Sequence, residues 1–163
     1  MYGIQYTGTC HKGRVRKNNQ DNIVSKRQCL PEGSDGLIGF YSGENILAED
    51  ELFGVFDGIG GEQRGEAASY IAAKTAAEWN PSDHHGSLVS LCRDMNRRIC
   101  EYSEANRLNT CGTTAALLLL EDSGATGCNI GDSRIYHYRN GKLLRLSEDH
   151  VLPFMDSCRA FRS

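Results

Sequence analysis

Residues 51–61, which read ELFGVFDGIGG, contain the pattern that decides the fold of this chain. The first six residues are predicted to form a short apolar strand, and glycines after Asp57 turn the backbone sharply at its end. The turn exposes a carboxylate and a nearby carbonyl oxygen together, and hard cations such as Mg²⁺ and Mn²⁺ prefer these oxygens. Two alternatives stay open for this segment alone. In one, Asp57 caps an ordinary strand-to-helix loop; in the other, the glycines cradle a phosphate, although neither GxGxxG nor a Walker pattern is present.

Two helices are predicted after this strand. Small and apolar side chains recur at helical spacing over residues 65–79, which predicts close packing on a sheet or on another helix. A second, clearly amphipathic stripe covers residues 87–106. Residues 81–83, with the sequence PSD, break the chain between the two helices.

Strands are predicted on both sides of the helices. Residues 2–10 and 22–27 have strand patterns, and residues 29–50 are interpreted as a long loop or a hairpin insertion. The continuously apolar run 113–120 predicts a strand that is buried on both faces. The order of strands, two helices and antiparallel strands is typical of the α+β class. Further strands and turns are predicted at residues 122–124 (turn), 125–130, 134–138, 140–141 (Asn-Gly hairpin turn) and 142–146.

Length, composition and charge exclude several classes of protein. The 163 residues fit one domain, with 39% hydrophobic and 24% charged residues, as in an ordinary soluble protein. The net charge of −3 argues against a nucleic-acid partner. The longest apolar run, residues 115–120, is far too short to span a membrane, and residues 1–10 lack the apolar core of a secretion signal. We therefore expect a cytoplasmic location and no membrane partner.

Seven cysteines are spread along the chain, an odd number with no CxxC pair. A zinc site needs tighter spacing than this. We expect reduced thiols, several of them buried as small apolar groups.

Two further segments contain groups that complement a cation at Asp57. Residues 16–21, RKNNQD, place Arg16 four residues before a polar and acidic pair, and arginine binds phosphate in a bidentate manner. Residues 129–134, NIGDSR, place Asp132 in a tight turn between two strands. Taken singly, the first segment also fits a solvated loop, and the second fits a β-turn in which Asp132 bonds its own backbone.

Four segments occur together in an order that resembles the metal-dependent protein phosphatases of the PP2C (PPM) type, particularly the bacterial form. They are GRVRKNNQDN (13–22), FGVFDGIGGEQRGEAAS (53–69), CGTTAALLL (111–119) and NIGDSRIYHYRNGKLLRLSEDH (129–150). The resemblance implies a sandwich of two antiparallel β-sheets flanked by helices, with the active site at one end. It further implies that residues 1–163 form a single, partial PP2C-like domain that is incomplete at the C-terminus.

The resemblance also implies a role for individual residues. Asp57 matches the aspartate that bridges two catalytic metals, and Gly58 matches the glycine whose carbonyl binds one of them. Arg16 matches the arginine that holds the substrate phosphate, and Asp21 the acid that supports metal-bound water. Asp132 matches an acid at a third, weaker metal site. The implied reaction is hydrolysis of phosphoserine or phosphothreonine in proteins by water that Mn²⁺ or Mg²⁺ activates, without a phosphoenzyme.

Thr113 and Thr114 match a structural strand under that site.

The chain departs from the family pattern in two places. Gln20 stands where the family usually has a metal-ligating glutamate, so we expect the second metal to bind more weakly. Residues 151–163 do not supply the two distant aspartates that normally complete the metal shell, and neither Asp156 nor Glu148-Asp149 replaces them convincingly. We therefore expect weak or absent activity.

Three functions of different classes follow. The first is a Ser/Thr protein phosphatase, a hydrolase whose expected partners are phosphorylated proteins and a cognate Ser/Thr kinase. The second is a non-catalytic module that binds phosphoproteins or regulates a kinase through Arg16, and the third is a truncated gene product without activity. An incomplete sandwich leaves unpaired strand edges, so we also expect a homo-oligomer.

Overall fold

The computed structural model describes residues 3–34, 41–46, 50–59, 64–80, 87–122 and 124–150. Within these ranges no helix is long and apolar enough to cross a membrane. The strands and helices follow one another in the α+β order that the sequence predicts. They are β1 (Gly3–Gly8), β2 (Asp21–Ser25), β3 (Gln28–Cys29), β4 (Tyr41–Ile46), β5 (Glu51–Ile59), α1 (Gly65–Glu78), α2 (Leu88–Ala105), β6 (Gly112–Thr113), β7 (Ala115–Glu121), β8 (Gly124–Ile130), β9 (Tyr136–Arg139) and β10 (Lys142–Arg145).

A six-stranded antiparallel sheet forms the centre of the structure. Its order is β3-β2-β5-β7-β8, with β6 paired to β5 beyond the end of the β5–β7 ladder. Side chains on β5 alternate between the two faces: Leu52 and Phe56 are buried, whereas Val55 and Asp57 are exposed. Since α1 contacts β5 and β2, the buried side chains face the helices. The exposed side chains, such as Val55 and Asp57, lie on the opposite face, which is called the helix-free face because α1 and α2 pack on the other side.

The core lies between this sheet and the two helices. Phe56 on β5 and Leu117 on β7 are completely buried, and the alanines of α1 let its backbone approach them closely. Helix α2 begins after Ser87, whose hydroxyl accepts a hydrogen bond from the Ser90 amide while the Ser90 hydroxyl accepts one from the Ser87 amide. Both predicted helices are confirmed, each to within one residue at either end.

The segment 29–50 is the clearest correction to the sequence prediction. It is neither a simple loop nor a self-paired hairpin, because β4 within it pairs antiparallel with β1, from Gly3 opposite Ile46 to Gly8 opposite Tyr41. Residues 35–40 and 47–49 of this segment lie outside the described residues. Even at the closest paired ends, Gly8 and Tyr41, the two strands are 33 residues apart along the chain. No local sequence pattern predicts such a pairing.

Other differences have local physical causes. The predicted strand 22–27 ends at Ser25 because Lys26 and Arg27 both adopt left-handed backbone conformations, with φ of 47° and 55°. The hairpin turn at Asn140-Gly141 is confirmed by positive φ at both residues. The strand predicted from residue 134 begins at Tyr136. The helix break at 81–83 and the centre of the 122–124 turn lie outside the described residues.

The predicted strand 113–120 is divided and is buried on one face only. Ala115, Leu117 and Leu119 are buried against the helices, whereas the alternate residues of β7 are only partly buried. On the helix-free face, the Tyr6 ring of β1 lies against Phe53 with centroids 5.1 Å apart. Val55 nevertheless stays 50% exposed, so this apolar face is only partly covered by the described residues.

Candidate active site

The centre of the candidate site is a pair of aspartates on adjacent strands. Asp21, the first residue of β2, lies directly opposite Asp57 near the end of β5. Directly opposed side chains on one face of a sheet have Cβ atoms about 5 Å apart, close enough for two carboxylates to repel. Partial burial, and then the charge and hydrogen bond of Asp57, raise the pKa of Asp21, and the positive charge of Arg16 offsets part of that rise. A bound cation would relieve this repulsion.

Two threonines hold the backbone of Asp57 from the other side. The Asp57 amide donates to Thr114 Oγ1 at 3.0 Å, and its carbonyl oxygen accepts from the Thr114 amide at 2.9 Å and from Thr113 Oγ1 at 3.0 Å. The Asp57 amide thus donates to the Thr114 hydroxyl and not to a backbone carbonyl of the neighbouring strand. This replacement explains why the pairing with β5 is interrupted between β6 and β7. Residues predicted as a strand under the site therefore contact Asp57 directly, which the sequence pattern did not indicate.

Glycine is required at position 58. Its amide donates to the Gln20 carbonyl at 2.9 Å. A Cβ added here would lie 2.2 Å from the Gly65 carbonyl oxygen and 2.5 Å from the Gln20 carbonyl oxygen. Gly65, at the start of α1, is also confined, although less tightly, since its own Cβ would lie 2.9 Å from the Gly58 oxygen. The two glycines bring the end of β5, the start of β2 and the start of α1 together.

Arg16 lies beside the acidic pair on an exposed loop. Its Nη1 donates to Gln20 Oε1 at 3.5 Å, the outer limit of a hydrogen bond. Its positive charge lowers the pKa of Asp21, which offsets part of the rise that burial and Asp57 cause. The structure therefore brings together two separate parts of the sequence, residues 16–21 with Arg16, Gln20 and Asp21, and residues 57–58.

The turn that contains Asp132 contacts the same threonine. Ser133 Oγ and Thr114 Oγ1 are 2.6 Å apart, and a Cβ on Gly131 would lie 2.7 Å from Thr114 Cγ2. Gly131 has φ of 91°, so glycine suits this position for both conformation and space. The carboxylate of Asp132 is exposed. Across the described ranges, no group of three or more His, Cys, Asp or Glu side chains is arranged to hold a metal ion, so Asp132 does not join the pair into such a group.

The acids after β10 have other partners. Asp149 accepts hydrogen bonds from Arg134 Nη2 at 2.8 Å and from Arg145 Nη2 at 2.5 Å. The bonds from Arg134 hold the pKa of Asp149 below its usual value. The Glu148 carbonyl accepts from Asn129 Nδ2. Asp149 therefore ties the C-terminal segment to the hairpin, a role that sequence reasoning missed, and Asp156 lies outside the described residues.

The donor chemistry at the pair fits a hard cation. Asp21, Asp57 and the Gly58 carbonyl offer oxygen atoms, which Mg²⁺ and Mn²⁺ prefer, and Gln20 adds a neutral amide oxygen. Mg²⁺ favours six oxygen ligands. These protein groups therefore suit the ion in kind but leave several positions for water, substrate or other ligands.

Comparison with known proteins supports the same assignment. The family model described as "Protein phosphatase 2C" matches residues 8–152. The serine/threonine phosphatase stp of Listeria monocytogenes is 29% identical over 150 residues, covering 86% of this chain and 52% of that protein. The serine/threonine protein phosphatase PstP of Mycobacterium tuberculosis is 27% identical over 151 residues, covering 90% of this chain and 25% of that protein. The chain thus spans about half or less of the length of these curated relatives.

Solved structures show the same fold. The phosphatase Stp1 from Staphylococcus aureus matches with a TM-score of 0.68 at 21% identity, covering 92% of this chain and 55% of that one. The catalytic domain of PstP, solved in complex with two manganese ions, matches with a TM-score of 0.64 at 26% identity, covering 90% and 56%. The strands β2–β10, the two helices and the aspartates on β2 and β5 lie within the family match. The chain belongs to the protein phosphatase 2C family.

Proposed function

We propose that this chain carries out metal-dependent hydrolysis of phosphoserine and phosphothreonine in proteins, weakly in comparison with its family. The observation that supports this most directly is the opposed pair Asp21 and Asp57, with Arg16 beside it. Two carboxylates that repel one another favour a divalent cation, and an adjacent guanidinium favours a phosphate. In metal-assisted phosphoryl transfer, a cation activates water and stabilises the developing charge, and a guanidinium beside it can orient the phosphate.

Each residue of the site has a defined part in this proposal. Asp57, Asp21 and the Gly58 carbonyl hold the ion, which when bound supplies a Lewis acid for the phosphoryl group and a nucleophilic water. Arg16 binds and orients the phosphate oxygens. Thr114 positions the Asp57 carboxylate by fixing the backbone on which it stands. Asp132 lies on the turn that contacts Thr114 and contributes to a weaker ion site.

Two features support the proposal that the activity is weak. Gln20 offers an amide oxygen without negative charge, and Arg16 donates to that same atom. The described residues bring two carboxylates to the site, and cation affinity depends on the number of charged ligands. We therefore expect Mn²⁺ to bind at this site more weakly than at one with a complete carboxylate shell.

Metal titration combined with phosphate release tests the proposal. Electron paramagnetic resonance follows the loss of free Mn²⁺ signal, and release of phosphate from a phosphothreonine peptide measures hydrolysis. Asp57→Asn should lose both. Asp122→Asn, a change in the exposed turn after β7 at the opposite end of the β5–β7 ladder from Asp57, should keep both. Wild-type protein that neither binds Mn²⁺ nor releases phosphate contradicts the enzymatic proposal.

A non-catalytic phosphoprotein-binding role is the second candidate. It is favoured by an intact, exposed Arg16 beside a site with few charged ligands. Binding of a fluorescent phosphothreonine peptide, measured by anisotropy without hydrolysis and lost in Arg16→Ala, supports it. If neither binding nor hydrolysis occurs, the remaining interpretation is a gene product without activity.

Partners follow from the same features. Phosphorylated proteins are the proposed substrates, and a phosphorylated Ser/Thr kinase is a natural one to test. Self-association is proposed from the exposed apolar residues of the helix-free face and of the β9–β10 hairpin, including Val55, Ile59, Tyr138 and Leu143. Light scattering after size exclusion should give a mass above 18.0 kDa. A monomer at high concentration contradicts self-association. The cytoplasmic location stays a prediction.

A further inference from the structure

Two cysteines from distant parts of the sequence meet at the interface between α2 and the edge of the central sheet. Cys92 lies on the first half of α2, and Cys128 lies on β8 opposite Leu117. Their sulfur atoms are 3.7 Å apart. Both residues are partly buried, so neither is sealed from a small solute.

We propose that Cys92 and Cys128 form an oxidisable thiol pair, and that a peroxide-class oxidant converts it to a disulfide that fastens α2 to β8. The bond length of a disulfide is about 2.0 Å, so the sulfurs must approach by roughly 1.7 Å, through side-chain rotation and adjustment of the helix and edge strand that carry them. Both thiols pack against the core, so the partners are already positioned when oxidant arrives.

The other described cysteines have different surroundings. Cys10 accepts a hydrogen bond from Asn19 Nδ2, Cys111 donates to the Arg64 carbonyl, and Cys100 donates to Asn96 on its own helix. Cys29, on β3, packs against the core near the charges of Lys74 and Glu78. The Cys92–Cys128 contact instead joins two thiols. This difference makes the reaction selective for one pair.

The chemistry balances with one equivalent of hydrogen peroxide. One thiolate attacks a peroxide oxygen, the O–O bond breaks, and the products are a sulfenic acid and a hydroxide that takes up the thiol proton as water. The second sulfur then attacks the sulfenic sulfur, the S–O bond breaks, and a second water leaves with the remaining thiol proton. Two thiols lose two electrons in total, and the peroxide is reduced to two molecules of water.

The reaction is expected to be slow, because few thiolates are present at neutral pH. Burial, and then the adjacent Cys128, raise the pKa of Cys92 to about 12. The thiolate is the reacting form, so oxidation should take minutes to hours rather than seconds. Brief exposure should leave the pair reduced, whereas sustained exposure should trap it as a disulfide.

The link would act on an element that leads to the candidate site. β8 ends at Ile130, and the turn that follows it contacts Thr114, which holds the Asp57 amide. A disulfide between β8 and α2 reduces the conformational freedom of the unfolded chain between residues 92 and 128. In the folded protein it also holds the edge strand β8 against α2. We expect the melting temperature to rise by roughly 5–15 °C on oxidation.

Mass spectrometry after oxidation tests this inference independently of any phosphatase activity. Reduced protein is treated with millimolar hydrogen peroxide for several hours, the remaining thiols are alkylated, and peptides are mapped without reduction. We expect a cross-linked peptide containing Cys92 and Cys128, a loss of two alkylated sites, and the rise in melting temperature.

Matched variants decide the outcome. Cys92→Ser and Cys128→Ser should each abolish the cross-linked peptide and the thermal shift, whereas Cys100→Ser, on the same helix as Cys92, should keep both. The inference is overturned if Cys92 and Cys128 stay alkylatable, if either links to another cysteine instead, or if either accumulates as sulfinic acid without a cross-link.

Discussion

Replacing Gly58 by alanine should destabilise the protein strongly, whatever its activity. The added Cβ would stand 2.2 Å from one backbone oxygen and 2.5 Å from another, contributed by Gly65 and Gln20. Both contacts are with main chain, so rotation of a neighbouring side chain cannot relieve them. Either α1 must move away from β5, or the bond from the Gly58 amide to the Gln20 carbonyl must lengthen.

The expected magnitude follows from these contacts. Overpacking in a tight site typically costs about 1–3 kcal/mol or more, and losing one backbone hydrogen bond adds about 1 kcal/mol, so we expect roughly 3–4 kcal/mol. Gly112→Ala is the matched control, because no atom lies within 4 Å of its added Cβ on the neighbouring strand β6. Gly54→Ala should fall between them, since the three atoms nearest to its Cβ belong to the side chains of Leu117, Val24 and Phe56, at 2.9–3.1 Å.

Urea unfolding monitored by far-ultraviolet circular dichroism measures these differences. The predicted order of free-energy loss is Gly58→Ala first, Gly54→Ala second and Gly112→Ala last, with the control within about 0.5 kcal/mol of wild type. If Gly58→Ala is as stable as Gly112→Ala, then β2, β5 and α1 do not approach one another as described, and the geometry of the candidate site is wrong.

Four further changes test other parts of the structure. Thr114→Val removes the acceptor of the Asp57 amide and the partner of Ser133, and should lower the free energy of unfolding by about 1–3 kcal/mol in urea titrations. Gln20→Glu adds a carboxylate beside the aspartate pair, so its affinity for Mn²⁺ should be roughly tenfold higher, as measured by titration followed by electron paramagnetic resonance. Asp149→Asn removes a carboxylate whose pKa is lowered in the fold; its stabilisation is complete above the unfolded pKa near 3.8 and is lost as pH falls through the lower folded value. The melting-temperature difference from wild type should therefore be present at pH 7 and shrink below pH 3.8. Ser87→Ala removes the cap of α2 and should cost about 1 kcal/mol.

Each of these expectations has a contradicting result. An unchanged unfolding curve for Thr114→Val would mean that Asp57 is not held through this hydroxyl. Equal Mn²⁺ affinity in Gln20→Glu would place that side chain away from the ion. A melting-temperature difference for Asp149→Asn that persists at low pH would reflect packing rather than charge, and a neutral Ser87→Ala would mean that packing alone determines the start of α2.

The sequence determines those features that depend on neighbouring residues. The stripe over residues 65–79 and the capping serine at residue 87 specify the two helices, because helical side chains meet at short, fixed spacing. Asn140-Gly141 specifies its hairpin turn, because both residues tolerate positive φ. The segments around Arg16, Asp57 and Asp132 are sufficient for the family resemblance, which the family match confirms.

Tertiary structure decides what depends on register and on which layer covers a surface. The opposition of Asp21 and Asp57 is a matter of strand register between segments 36 residues apart, and a shift of one residue would place the two side chains on opposite faces. The pairing of β4 with β1, the bond from Asp57 to Thr114 and the approach of Cys92 to Cys128 are likewise contacts between distant segments. The apolar run 113–120 reads as buried on both sides, yet only its helix-facing side chains are buried, because burial depends on what packs against a strand and not on the strand itself.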